Sequence, residues 1–249
     1  MKWYEKYKLY LFLGGSLVIL SGLLYLLHYA IFRDPHHIFI YMLGDIAFVP
    51  IEVLLVVLIV HRVLDEREKR SRMEHLNLVI GAFFSEMGTT LLDYLFKFDT
   101  ECKEIEGALL FSTDWAEEDF KRASRSVQEH ECRIGRKDED LGQLRDFLVS
   151  NRQFLLTLLE NPNLLEHETF TDLLWAVFHL TEELNLRDIL QGLPDDDYEH
   201  LCGDVARAYT LLIREWLAYM KHLKRDYPYL YSLAVRTNPF NPEASPVID

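Results

Sequence analysis

The chain has 249 residues, with 26 lysines and arginines against 40 aspartates and glutamates, a net charge of −14. Residues 1–74 hold 9 of these basic and 8 of these acidic residues, so residues 75–249 hold 17 and 32, and the acidity belongs to the second part. A part with an excess of 15 negative charges repels phosphate backbones, which argues against nucleic-acid binding.

Two apolar stretches near the N-terminus have the length of membrane spans. Residues 9–32 are 24 residues without a formal charge, and residues 38–60 are 23 residues with two carboxylates. At 1.5 Å per residue each stretch reaches about 35 Å, enough to cross a hydrocarbon core of about 30 Å. Only residues 33–37 separate them, so the sequence predicts an antiparallel transmembrane hairpin within residues 1–61.

The distribution of basic residues predicts the orientation of this hairpin. Lysines precede the first span and five basic residues follow the second within residues 62–72, whereas the connecting turn has only Arg33. By the positive-inside rule both termini are expected in the cytoplasm. Trp3, Tyr4, Tyr7 and Tyr10 occupy the position of an interfacial aromatic belt. We therefore expect a multi-pass protein of the inner or plasma membrane.

Residues 62–75 are almost wholly charged and predict a helical stalk. Asp65–Lys69, Glu66–Arg70 and Glu68–Arg72 are acid-to-base pairs four residues apart, an order that stabilises a solvated helix. The segment has no apolar face, so it is expected to continue the second span as a spacer. Alternatively, its basic residues contact anionic lipid headgroups.

Residues 76–227 place apolar residues at helical spacing and show no alternating strand pattern of useful length. The predicted helices cover residues 76–98, 116–134, 141–159, 170–184 and 198–223, with breakers at Asn161-Pro162-Asn163 and Gly192-Leu193-Pro194. The sequence therefore predicts an all-α protein, in which the two-helix transmembrane hairpin is followed by a cytoplasmic antiparallel bundle of about five helices.

Residues 228–249 contain four prolines and predict an extended, Pro-rich C-terminal tail. Tyr227, Tyr229 and Tyr231 surround its start. Such a tail suits two roles: a strap on its own bundle, or a segment that docks on a partner.

The three cysteines, Cys102, Cys132 and Cys202, show no Cys-x-x-Cys spacing and no disulfide framework. Free thiols of this kind are typical of small core residues in a reducing compartment. They agree with a cytoplasmic location of the acidic domain.

Asp45 and Glu52 are the most informative polar residues of the second span. They are seven residues apart, which is two helical turns, so they share one face. A charged residue near the bilayer centre costs about 2.5–3.5 kcal/mol on insertion scales and normally faces protein or water. Pro50 lies between them and cannot donate to the carbonyl of Ile46, so a kink is expected there.

In an antiparallel hairpin, Ser16 lies at the depth of Glu52, Tyr25 lies at the depth of Asp45, and Ser21 lies between these levels. One hypothesis is that these side chains hydrogen-bond across the two helices and hold them together. A second is that several hairpins assemble a cation or proton path lined by the carboxylates. A third is binding to another membrane protein.

Histidines suggest two further possibilities. His28, His36 and His37 cluster near the outer end of the hairpin, where they are either interfacial polar residues or sensors of external pH. Two helical spacings are compatible with metal ligation: His179 with Glu182 and Glu183, and His200 with Cys202 and Asp204. No histidine has a glutamate three residues before it, as di-iron bundles require, so the sequence predicts no metal site and no cofactor.

The residues 62–249 contain no Gly-rich phosphate loop, nucleophile elbow or zinc motif, so an enzyme is not expected. The preferred function is a membrane-anchored, oligomeric scaffold or regulatory protein that associates through its transmembrane helices and contacts a cytoplasmic partner. The alternative is a subunit of a homo-oligomeric cation channel or proton-coupled complex that uses Asp45 and Glu52.

Overall fold

A computed structural model describes residues 2–135, 138–162, 164 and 167–247. Asn163 of the predicted breaker and the last two residues of the predicted tail lie outside the described residues. The side chains of the predicted aromatic belt, Trp3, Tyr4, Tyr7 and Tyr10, also lie outside them, as do those of Arg70 and Arg72 in the stalk.

The described part of the chain is helical, and its one β feature is an isolated bridge between Asp99 and Ile134. In chain order the helices are α1 Lys2–Phe32, α2 Pro35–Phe83, a π-helical segment Phe84–Gly88, α3 Thr89–Phe96, α4 Cys102–Leu109, α5 Glu117–Glu129, α6 Asp138–Ser150, α7 Arg152–Leu159, α8 Glu168–Asn185, α9 Asp195–Asp226 and α10 Pro228–Arg236. The predicted all-α class and the two long apolar N-terminal helices are confirmed.

The chain divides into two compact units, residues 1–69 and 70–249. The division falls inside the segment predicted as a stalk. Helix α2 continues through Pro50 and through the charged segment, so one helix contributes residues to both units.

The first unit exposes its apolar surface along both helices. Phe12–Phe32 and Pro35–Lys69 are long and apolar enough to cross a membrane, and no residue in their most apolar windows is buried. Leu76–Phe96 also meets the length and composition limits, but 44% of its window is buried in the second unit. Burial therefore distinguishes this third stretch, which packs into a protein core, from the first two.

The turn between α1 and α2 is shorter than predicted, because α2 begins at Pro35 rather than at residue 38. Pro35 suits the first helical position, where a backbone N–H is not needed. The Asp34 carboxylate then accepts hydrogen bonds from the N–H groups of His36 and His37 at 3.0 and 3.3 Å. Arg33 makes the turn itself, with a left-handed φ of 51°.

The π-helical segment lies in the core of the second unit, where Phe84, Met87 and Gly88 are buried. The Thr89 hydroxyl and N–H both donate to the carbonyl of Phe84, five residues earlier. The wider turn brings the consecutive rings of Phe83 and Phe84 into the core together. Phe83 meets Phe170 of α8 edge-on at 5.4 Å between ring centroids, and Phe84 stacks on Tyr219 of α9 at 5.0 Å.

Several helices of the second unit differ from the predicted ones. Helix α4, which was not predicted, has only eight residues and buries Ile105 and Leu109. Helix α5 ends at Glu129, so Ile134 lies beyond it in the bridge to Asp99. The predicted helix 141–159 is interrupted at Asn151, whose side-chain amide donates to the Phe147 carbonyl at 2.9 Å and competes with the helical pattern.

The prediction of an extended tail from residue 228 is wrong for its first nine residues, which form α10. Pro228 opens this helix at a position that tolerates proline. Tyr231 is buried and donates to the Ser112 carbonyl at 2.9 Å, and Asn238 donates to the Leu109 carbonyl at 2.7 Å. Phe240 is also buried. These contacts make the C-terminal segment a strap on its own bundle.

Candidate functional site

Asp45 and Glu52 lie on α2 in the exposed apolar length of the first unit, with Pro50 between them. Both side chains are solvent-exposed in the single chain. Seven residues correspond to about 700° of helical rotation, so the two carboxylates lie within about 20° of one face.

The predicted α1 partners do not hold these carboxylates. The Ser16 hydroxyl donates to the Leu13 carbonyl of its own helix at 2.8 Å. In the part of the chain that the structure describes, no hydrogen bond or ion pair joins Ser16, Ser21 or Tyr25 to Asp45 or Glu52. The carboxylates are therefore available to groups outside the hairpin.

The three histidines of the turn are only partly brought together. The rings of His28 and His37 lie 6.2 Å apart, and His37 also meets the ring of Tyr41 at 4.7 Å. His36 contributes its N–H to the Asp34 cap, and its side chain is exposed. These contacts are typical of side chains that pack where two helices are connected.

A buried carboxylate–histidine pair lies in the second unit. The Asp99 Oδ2 and His130 Nε2 atoms are 2.6 Å apart, and both side chains are buried. The thiol of Cys132 lies near this pair. Burial of the thiol, and to a lesser extent the negative charge of Asp99, raise its pKa to about 12. The thiol stays protonated at neutral pH, so the group is unsuited to thiol nucleophilic catalysis.

Two histidine–carboxylate pairs from α8 and α9 face each other and form what we call the His–carboxylate cluster: His179, Glu183, His200 and Asp204. Each pair is spaced four residues apart on its helix. The Nε2 atoms of His179 and His200 lie 3.3 and 3.4 Å from Asp204 Oδ2. The same nitrogens lie 3.9 Å from Glu183 Oε1 and Oε2 respectively.

Two arginines hold the carboxylates of this cluster. Arg207 Nη1 donates to Asp204 Oδ1 at 3.0 Å, and Arg187 Nη1 donates to Glu183 Oε2 at 2.6 Å. Arg187 also binds Asp197 at 2.7 Å. The hydrogen bond from Arg187 lowers the pKa of Glu183, so this carboxyl is ionised at neutral pH.

The second unit also has a cavity of about 770 Å³ between the end of α2 and the junction of α9 with α10. Its walls are mainly apolar and aromatic, with Tyr219, Tyr227 and Tyr229 among them. His222 and Asp226 add a polar pair, with 2.8 Å between Nδ1 and Oδ2. Burial lowers the pKa of His222, partly offset by the Asp226 charge.

The spacing of residues along each helix predicted the two halves of the His–carboxylate cluster. It did not predict that the two halves lie next to each other. It also grouped Glu182 and Cys202 with them. In the structure Glu182 instead pairs with Arg152, at 2.6 Å between Oε1 and Nε. Cys202 lies with Phe98 at a narrow packing gap in the core that is too small for a water molecule. Glu182 and Glu183 lie at i,i+3 and i,i+4 from His179, and both spacings place a residue on the same helix face, so spacing alone does not separate them.

Comparison with known proteins places both units in one family. A family described as "MJ1433, N-terminal helical domain" matches residues 5–64, and "Uncharacterized protein MJ1433, C-terminal helical domain" matches residues 72–236. The MJ1433 protein of Methanocaldococcus jannaschii is 45% identical over 231 residues, which cover 93% of each chain. No solved structure matches the chain. The chain therefore belongs to the MJ1433 family of proteins with N-terminal and C-terminal helical domains.

Proposed function

We propose that this protein is a membrane-anchored scaffold or regulatory protein whose acidic helical unit works in the cytoplasm by binding a partner. The observation that carries the proposal is that the apolar side chains of residues 12–32 of α1 and 35–60 of α2 are not buried in the protein. Soluble monomers rarely expose contiguous apolar patches of more than a few hundred Å². A lipid bilayer is the environment that suits such a surface.

Dimensions and charge support the same assignment. The 31 residues of α1 extend about 46 Å, which exceeds a hydrocarbon core of about 30 Å. The excess of basic residues at 62–72 over the single Arg33 favours cytoplasmic termini. The net charge of −15 on residues 75–249 favours basic protein surfaces as partners and disfavours nucleic acid.

Cysteine labelling tests anchoring and orientation together. In a variant without native cysteines, Asp34→Cys places a thiol in the turn between α1 and α2. We expect an impermeant maleimide to label it in intact cells. The matched control is Glu118→Cys on the exposed surface of α5, which should react only after the membrane is permeabilised. Labelling of Glu118→Cys from outside, or recovery of the chain in the soluble fraction after an alkaline wash, contradicts the proposal.

A second candidate function is a homo-oligomeric cation channel. Asp45 and Glu52 favour it because they are exposed on one face of α2 and, among the described residues, no side chain of the hairpin binds them. Rings of carboxylates attract cations, and a two-helix hairpin needs several copies to enclose a pore. The same exposed carboxylates also suit self-association without conduction, since polar groups in lipid seek polar partners.

Mass and flux measurements separate these functions. A channel requires an assembly of at least four copies in native lipid and cation flux from liposomes that falls by about tenfold or more in Asp45→Asn/Glu52→Gln. Asp34→Asn, in the turn, is the control and should leave the flux unchanged. An intact oligomer without flux under a voltage or pH gradient excludes the channel and supports the scaffold. A monomer in native lipid excludes the channel and also removes the self-association part of the scaffold proposal.

A further inference from the structure

Two separations in the His–carboxylate cluster match those between the ligand atoms of a transition-metal site. For bonds of about 2.0–2.1 Å, the ligand atoms of a tetrahedral ion lie about 3.3–3.4 Å from each other. The distances from Asp204 Oδ2 to His179 Nε2 and His200 Nε2 are 3.3 and 3.4 Å. The fourth group, Glu183, is farther away: its Oε1 lies 3.9 Å from His179 Nε2, and its Oε2 lies 3.9 Å from His200 Nε2.

A second observation, the environment of Asp204, points to a cation at this position. Asp204 is only 2% exposed, yet its Oδ2 atom is buried without a hydrogen-bond partner. A buried carboxylate oxygen normally accepts hydrogen bonds or binds a cation, because its desolvation is otherwise uncompensated. Oδ2 faces both imidazole nitrogens but satisfies the geometry of a hydrogen bond with neither. A cation between the three atoms would compensate this oxygen.

The surroundings orient the carboxylates toward that position. Arg207 occupies Oδ1 of Asp204 and leaves Oδ2 toward the histidines. Arg187 occupies Oε2 of Glu183, which leaves Oε1 for the cluster. Such outer contacts hold ligands in position in known metal sites. The histidine side chains are 47% and 55% exposed, so an ion can enter from solvent.

We propose that α8 and α9 bind one divalent transition-metal ion through His179 Nε2, His200 Nε2 and Asp204 Oδ2, with Glu183 Oε1 as the fourth ligand. Two imidazole nitrogens favour Zn²⁺, Co²⁺ or Fe²⁺ over Mg²⁺ and Ca²⁺, which prefer all-oxygen sets. The ion would join the two helices across the loop 186–194. This proposal does not depend on the proposed function, because metal binding is measured directly.

The test uses the full-length protein in detergent after chelation and dialysis. Titration with Zn²⁺ should show one saturable site per chain, and a large excess of Mg²⁺ should not displace the ion. Co²⁺ should give the intense visible absorption of a tetrahedral complex. Separate His179→Gln and His200→Gln variants should weaken Zn²⁺ binding by at least about 10- to 100-fold, the range known for changes around metal ligands.

Two matched controls remove the same side-chain types elsewhere. His222→Gln breaks another histidine–carboxylate pair at i,i+4 on α9, and Glu182→Gln removes the neighbouring carboxylate on α8. Neither should change the affinity. X-ray absorption at the zinc edge of the unmodified protein checks for two histidine ligands without any substitution. Absence of saturable binding, affinity unchanged by both cluster histidines, or a spectrum without histidine ligands would overturn the proposal and leave an ion-pair cluster only.

Discussion

Replacement of Asp99 by alanine is expected to lower the free energy of unfolding of the second unit by about 3–5 kcal/mol, the range for breaking a buried pair. Asp99 Oδ1 accepts from the N–H groups of Glu101 and Arg133 at 3.0 and 3.3 Å, while Oδ2 meets His130. The substitution leaves a buried imidazole and two backbone donors without this carboxylate. The substitution therefore weakens the contacts between segments 97–101 and 130–135.

Urea unfolding of the full-length protein in mild detergent, followed by tryptophan fluorescence, measures this change. Asp99→Asn should lose less, because the amide oxygen can still accept the two backbone N–H groups. The control is Asp93→Ala, which removes a half-exposed ion pair with Lys97 and should change stability by at most about 0.5 kcal/mol. Equal losses in Asp99→Ala and Asp93→Ala would show that the buried network contributes little.

Replacement of Phe170 by alanine is expected to destabilise the second unit by about 3–5 kcal/mol. Its ring is fully buried and meets Phe83 at 5.4 Å, where α8 packs against the end of α2. Removal of the ring leaves a cavity among close-packed neighbours, which can relax only partly into the space. The lost free energy of burying the ring and the cost of the cavity therefore add.

The same unfolding measurement applies, with Trp175→Ala as the control on the same helix. Trp175 is also aromatic but 55% exposed, so its loss should be about 1 kcal/mol or less. A Phe170→Ala variant as stable as the unmodified protein would mean that the core around Phe83 repacks freely. That result would contradict the expected cost of the cavity.

Local patterns predicted much of the helical architecture. The uncharged run 9–32 appears in α1, which ends at Phe32, because hydropathy depends only on the residues within a short window. Buried stripes such as Leu173, Val177 and Leu180 on α8 follow the predicted helical spacing. The eight-residue α4 and the proline-led α10 escaped detection, because each owes its stability to tertiary contacts rather than to a long periodic pattern.

Contacts within the candidate sites were harder to predict from the sequence than the helices were. Asp45 and Glu52 were recognisable because a charge inside an apolar run is anomalous in any environment. The lateral partners assigned to them from matching depth, Ser16 and Tyr25, are not bound to them in the described hairpin. Depth follows from residue counting, whereas the rotation of one helix toward another depends on packing.

By itself, the amino-acid sequence determined the all-α class, the two apolar helices and the acidic character of the second unit. These properties depend on composition and spacing along one segment. Only the tertiary structure decided that His179 and Glu183 meet His200 and Asp204, and that Asp99 meets His130. Such meetings depend on the path of loop 186–194 and on helix rotation, which changes by about 100° for each residue. No pattern within a single helix contains that information.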